Sequence, residues 1–149
     1  MPTATTQDLL DAMADQIRSV LVTVTDIDVQ VEPYQVWDAT PPTVDMWAGD
    51  TSRGSESQAF GGDGEFLFTV RARVPGNDPV ANQALLNAFM DDVDPLSIAD
   101  ALEDEPTLGG IAASLDIPLE SVTGIINFQY GTDVLPGRQF TCRVIRADS

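Results

Sequence analysis

The chemistry open to this chain is bounded first by the residues it lacks. Its 149 residues include no histidine, and its seven cations are all arginine: Arg18, Arg53, Arg71, Arg73, Arg138, Arg143 and Arg146. Without histidine, a Ser-His-Asp triad, a Cys-His pair and every imidazole metal site are excluded. Without lysine, Schiff-base chemistry and a phosphate-loop lysine are excluded as well. The one cysteine, Cys142, has no internal disulfide partner and lies in an apolar alternating run. It reads as a small buried hydrophobe. The glycine cluster Gly61, Gly62 and Gly64 matches neither nucleotide-binding spacing and precedes a strand, not a helix, so it reads as a turn.

Carboxylates are what remains. Asp91, Asp92 and Asp94 form one group, and Glu103, Asp104 and Glu105 another. A calcium-binding EF-hand loop needs glycine at its sixth position and glutamate at its twelfth. Counted from Asp92 those positions hold Ser97 and Glu103, so the glycine is missing, and Pro95 intrudes. A glycosidase needs two carboxylates flanking one bond, and nothing in the spacing selects such a pair. Both groups read as solvated charge at helix ends. No catalytic residue, metal ligand or cofactor is expected, and the chain does not read as an enzyme.

Charge narrows the partners. With 24 acidic residues the formal net charge is −17. A free protein so charged repels phosphate backbones and anionic membranes. The first residues, MPTATTQDLL, show neither the basic segment nor the apolar core of a signal peptide. No run approaches the ~18 apolar residues that span a bilayer. These features place the chain in a cytoplasm, or in something assembled there, with no membrane partner.

The elements that would position any site follow from periodicity. A first helix is expected over 6–21, with Leu9, Leu10, Met13, Ile17, Val20 and Leu21 in one stripe and a cap from Thr5 with Asp8. The β-branched run 20–25 is expected to end it. Val29 and Val31 begin a short strand stopped by Pro33, and 43–47 forms another. Tyr34, Trp37 and Trp47 flank the prolines and read as packing under a loop. Residues 48–58 are polar and read as a long flexible loop. The clearest strand is 65–74, where Phe66, Phe68, Val70, Ala72 and Val74 alternate with Leu67, Thr69, Arg71 and Arg73. A helix to Met90 follows Asp78-Pro79, with Val80, Ala81, Ala84, Leu85, Ala88 and Phe89 inward. A short helix over 97–102 is capped by Ser97, and Thr107-Leu108-Gly109-Gly110 turns the chain. Strands over 122–130 and 139–146, joined by the loop GTDVLPG, complete it. The order predicts one α+β domain over 1–149, a mainly antiparallel sheet with helices packed on one face.

This order, and above all the succession of short helix, acidic stretch and Thr-Leu-Gly-Gly from Ser97 to Gly110, resembles the tail terminator proteins of long-tailed (siphovirus-type) actinobacterial bacteriophages. The resemblance covers most of the chain, from about Thr6 to Ala147. Its departures are the long loop over 48–58 and the high negative charge. It implies a virion structural subunit, assembled in the host cytoplasm into a homo-oligomeric, hexameric ring at the head-proximal end of the tail. Such a ring caps the tail tube protein and docks to the head-tail connector. Genomic DNA would be only passing cargo through its lumen, and an acidic wall would discourage it from sticking. No cofactor belongs to that role.

Leu67, Arg71, Arg73 and Arg143 are the candidate subunit-interface residues, because they project from strand faces opposite the core. Their arginines pair with acids either on a neighbour or within the same subunit. Two other readings stand beside the terminator: a head-completion or connector (neck) protein, and an acidic DNA-mimic inhibitor. The mimic calls for acids arrayed on one face, whereas these are scattered among turns and helix ends.

Overall fold

The computed structural model describes residues 4–24, 28–36, 42–49, 65–76, 79–91, 95–118, 121–130 and 133–147. They form a single α+β domain in which three helices pack against a six-stranded, mostly antiparallel mixed sheet. The expected fold class is the observed one.

Helix α1 (Thr6–Val24) starts at the predicted cap, which is reciprocal: Asp8 N–H donates to Thr5 Oγ1 at 3.1 Å, and Thr5 N–H to Asp8 Oδ2 at 2.9 Å. Leu9, Leu10, Met13, Ala14, Ile17 and Leu21 are buried along its inner face. The helix outlasts the expected stop at residue 21 and runs through the β-branched segment to Val24. A β-branched residue costs a helix only tenths of a kcal/mol, which the docking of Leu21 outweighs.

Strand β1 (Gln30–Glu32) pairs in parallel with β2 (Thr43–Ala48), and β2 pairs antiparallel with β3 (Glu65–Arg73). Ala48, expected to open the long loop, is instead the last residue of β2. Gly49 follows it with its N–H bonded to Leu67 O at 2.8 Å. The rest of that loop lies outside the described residues, as do Trp37 and the glycines of the 61–64 turn.

Strand β3 presents Phe66, Phe68, Val70 and Ala72 to the helices. Phe66 and Phe68 stack in parallel at 5.8 Å, and the set joins Phe140, Cys142 and Val144 of the last strand in one core. Helix α2 (Pro79–Met90) corrects part of the expected facing: Phe89 is inward as expected and Leu85 packs partly against the core, but the rest of the set shifts. Leu86, Phe89 and Met90 are buried, whereas Val80, Ala81 and Ala84 look outward. The helix is apolar nearly all round, so periodicity alone did not pick the inner face. Helix α3 (Ile98–Asp104) is capped by Ser97, whose hydroxyl accepts from Asp100 N–H at 3.0 Å.

The last third departs most from expectation. A strand absent from the sequence reading, β4 (Ala112–Asp116), pairs with the final strand through a register shift between Ala112 and Ser114. That bulge breaks the two-residue period by which a strand is recognised. Strand β5 (Ile126–Tyr130) is shorter than expected, and β6 (Asp133–Arg146) far longer, so most of the expected loop GTDVLPG is strand. β6 runs between β3 on one side and β4 and β5 on the other. Pro136 fits inside it because the ladder uses its carbonyl, which accepts from Val74 N–H at 3.0 Å. Gly137 is required by closeness: a Cβ there would stand 2.7 Å from Ala72 O and 2.7 Å from the Phe128 ring.

Two outcomes follow from this packing. Phe68→Asp places an unpaired charge in the core and abolishes folding, while Leu67→Asp on the other face, half-buried, costs about 1–2 kcal/mol and leaves the native circular dichroism spectrum intact. Burial also pushes the Cys142 thiol far above its ordinary range, so little thiolate exists. At about pH 8, near the ordinary thiol pKa, a thiol reagent should leave native Cys142 unlabelled and modify it fully once guanidinium chloride unfolds the chain.

Candidate functional site

The face of the sheet turned away from the helices carries the one dense constellation of charged and aromatic side chains in the described residues. Three neighbouring strands build it by register. Asp45 of β2 stands opposite Arg71 of β3, which stands opposite Gln139 of β6, and Arg73 is two residues further along. Alternation places Thr43, Asp45 and Trp47 on this face together with Leu67, Thr69, Arg71 and Arg73.

Asp45 is its hub and is wholly buried. Its carboxylate accepts from Arg71 Nε at 3.0 Å and Arg71 Nη2 at 2.5 Å, a two-pronged pair. It also accepts from Arg73 Nη2 at 3.2 Å and from the Val36 backbone N–H at 3.0 Å. Arg73 Nη2 donates in addition to Val36 O at 3.0 Å, so this side-chain cluster fixes the segment that follows β1 onto the sheet. The Arg71 guanidinium lies 4.7 Å from the Trp47 ring centroid and 5.0 Å from that of Phe128, held between two aromatic faces. Gly137 is what lets Phe128 reach that position, since any side chain there would occupy the place of its ring.

Arg73 is 3% exposed, and its Nε has no hydrogen-bond partner. Burial pushes its pKa below the ordinary range, Asp45 acts in the opposite direction, and Arg71 adds to the lowering. Two guanidiniums around one carboxylate leave one net positive charge in this cluster.

The four residues singled out from the sequence therefore separate. Arg73 is sealed within the subunit, and Arg71 is committed to Asp45 and the two rings. Leu67 is half-buried, and Arg143 is exposed with Asp116 Oδ2 at 3.8 Å. The other described arginines also have contacts inside the chain. Arg18 meets Asp15 and Val31 O, Arg138 meets Thr123 O and Asn87, and Arg146 meets Ala4 O and the Phe66 ring.

Asp45 itself was not anticipated. Its signal was an acid inside the otherwise apolar strand Thr43-Val44-Asp45-Met46-Trp47, one strand before two arginines at alternate positions. The aromatics near the prolines part company: Trp47 faces Arg71, while Tyr34 gives its hydroxyl to Glu32, which raises the Tyr34 pKa. Among the described residues, no three acidic or thiol side chains converge in a geometry that would hold a metal ion.

A second cluster holds the 97–110 segment. The Gln16 side-chain amide of α1 donates to Ala101 O, Leu102 O and Glu105 O at 2.8, 2.9 and 3.1 Å, satisfying the C-terminal carbonyls of α3. Leu108, Gly109 and Gly110 then take positive φ in succession, 51°, 75° and 99°. Leu108 accepts the strained backbone because its side chain is buried in the core. Between β4 and β5 the edge of β6 is closed by hydroxyls. Ser121 Oγ bonds both Thr141 N–H and Thr141 O, and Thr123 Oγ1 accepts from Gln139 N–H.

Compared with protein-family models and with curated proteins, the chain matches none.

The buried triad makes a quantitative prediction. Asp45→Asn keeps the shape but strands two guanidiniums, and should lower stability by about 3–5 kcal/mol. Arg71→Lys keeps the charge, loses the two-pronged geometry and ring contacts, and should cost about 1–2 kcal/mol. Urea unfolding midpoints of the two variants check the order.

Proposed function

We propose that this chain is a structural ring subunit of a long-tailed phage, the tail terminator that closes the tail tube and meets the head connector. The observation that carries the proposal is the order of elements. An amphipathic leading helix, a short strand pair, a long central strand, two helices, the Leu108–Gly110 turn, two short strands and a long closing strand follow one another, and apart from the strand Ala112–Asp116 this is the order on which the resemblance rests. The 97–110 segment, the most specific part of that resemblance, is a defined device here, with a capped helix, a Gln16 clamp and three residues of positive φ.

The charge supports the same reading. A subunit lining a DNA passage is best served by a surface that does not bind phosphate, and a net −17 provides one. Six of the seven arginines hold contacts within the described fold, and Arg71 and Arg73 are largely withdrawn from solvent. A ring of identical subunits is built from one heterologous contact that closes on itself, and needs neither cofactor nor catalytic group.

Electron microscopy of lysates from a phage deleted for this gene tests the proposal. A terminator is needed to stop tube growth, so the mutant should give filled heads beside unjoined tails of abnormal length. Tails of normal length, with heads that leak or stay unjoined, would transfer the assignment to a connector protein. Intact infectious virions would remove both and favour the DNA mimic.

A further inference from the structure

Among the described residues, three strands have a neighbour on one side only: β1, β4 and β5. Two of them are closed against a further strand. β1 is three residues long, carries Glu32 and is followed by Pro33. β4 is bulged between Ala112 and Ser114, carries Asp116 and is followed by Ile117-Pro118. Short length, a bulge, a charge and a proline are the ordinary means by which a sheet edge is kept from pairing. Strand β5 has none of them. Its sequence INFQY is regular in register, and in a chain of net charge −17 no charged residue stands between Glu120 and Asp133. It is open to solvent, with Ile126 39% exposed and Asn127 exposed beside it.

The direction of its backbone groups follows from Pro136. The Pro136 carbonyl accepts from Val74 N–H, so position 136 turns its hydrogen-bonding side toward β3. Asn127, its partner across the β5–β6 ladder, is therefore in a non-hydrogen-bonded pair, and the Asn127 N–H and C=O point away from β6. Gln129, opposite Val134 and two residues on, has the same backbone direction. No described strand pairs with this outer edge.

We propose that the outer edge of β5 pairs with the same edge of a second copy of this chain, antiparallel, about a two-fold axis through Phe128. A row of outward N–H and C=O groups calls for an extended strand, and the order of residue types selects which one. Ile126, Asn127, Phe128, Gln129 and Tyr130 read alike in both directions: apolar, amide, aromatic, amide, apolar. An antiparallel copy centred on Phe128 sets Asn127 against Gln129, so the two outward-facing positions of each copy exchange N–H···O bonds. The same register sets Phe128 beside Phe128 and Ile126 beside Tyr130, pairings of residue type that stabilise adjacent strands, and it opposes no like charges. Five paired residues span about 17 Å and cover less than the roughly 800 Å² per partner of a standard interface, so the pair is weak. Repulsion between two copies of −17 opposes it further, and salt relieves that repulsion. The inference does not rest on the ring reading, since a two-fold pair closes on itself and makes no ring.

Sedimentation of the full chain and residue-resolved amide exchange test it together. From about 1 μM to about 1 mM the chain should pass from monomer to dimer, at lower concentration as salt is raised. Over the same range the Asn127 and Gln129 amides should slow by about tenfold or more, while those of β1 and β4 stay unchanged. Asn127→Pro removes an outward donor and no bond to β6, so circular dichroism should be unchanged and dimerisation should need at least about tenfold more protein. Val80→Ser, on the exposed side of α2, is the control and should dimerise as the wild type does. A chain monomeric throughout would overturn the inference, as would a dimer whose Asn127 and Gln129 amides exchange as fast as the monomer's. A dimer dissolved by Val80→Ser and kept by Asn127→Pro would overturn it too. Should Asn127→Pro fail to fold, the exchange rates of the wild type decide alone. The tail-length phenotype judges the terminator reading separately.

Discussion

A carboxylate in a protein interior must be answered, and much of the outer half of this fold is arranged around answering Asp45. Taking an ion out of water costs several kcal/mol even after relaxation, so the strand carrying Asp45 requires donors from its neighbours. Arg71 comes from the adjacent strand by register, Arg73 by the diagonal, and Val36 N–H from the segment after β1. One residue thereby ties β1, β2 and β3 together on the side that, among the described residues, no helix covers. Slipping β2 by one position would turn Asp45 toward Phe68 and Phe140, and leave both guanidiniums unanswered. The triad contributes less to net stability than to fixing which register is allowed. Such a role is attested for buried polar groups elsewhere, and here it is a hypothesis that the Asp45 variants address.

The constraint propagates outward through shape. Arg71 can hold Asp45 in one orientation because Trp47 and Phe128 confine it, and Phe128 can lie there because position 137 is glycine. Gly137 also permits the close passage of Ala72 O, where β6 changes partners from β5 to β3. The long closing strand, the hairpin and the buried charge form a single arrangement. The opposite face is ordinary by comparison, an interleaving of Phe66, Phe68, Phe140 and the inner faces of three helices.

What was legible in the sequence sorts by physical cause. Strict alternation from Phe66 to Val74 and the stripe from Leu9 to Leu21 report the core side, whose residues are buried as expected except Val20, which is only partly so; the strand's other face, by contrast, also buries Thr69 and Arg73. Local capping was equally plain at Thr5 and Ser97, since those bonds span three residues. The facing of α2 was not, because a helix with apolar residues all round has no preferred side until its neighbours choose one. β4 was hidden by its bulge, and the first half of β6 by Pro136 and Gly137, two residues that ordinarily end strands. The charged cluster was half visible. Arg71 and Arg73 stood out as cations on an alternating strand, but their partner lay 26 residues or more away, a distance that only the sheet closes.

The internal pairings also bear on how charge is distributed. Arginine is the only cation available, and its use to satisfy Asp45 takes two of the seven cations out of contact with most of the solvent. The exterior is left strongly acidic, which disfavours contact with phosphate. Helix α2 carries none of the acids. Its lack of charge made its inner face ambiguous to read, and the same lack leaves Val80, Ala81 and Ala84 exposed without the solvating groups that cover α1 and α3. An apolar strip on a strongly charged particle is a weak spot for nonspecific aggregation unless something covers it.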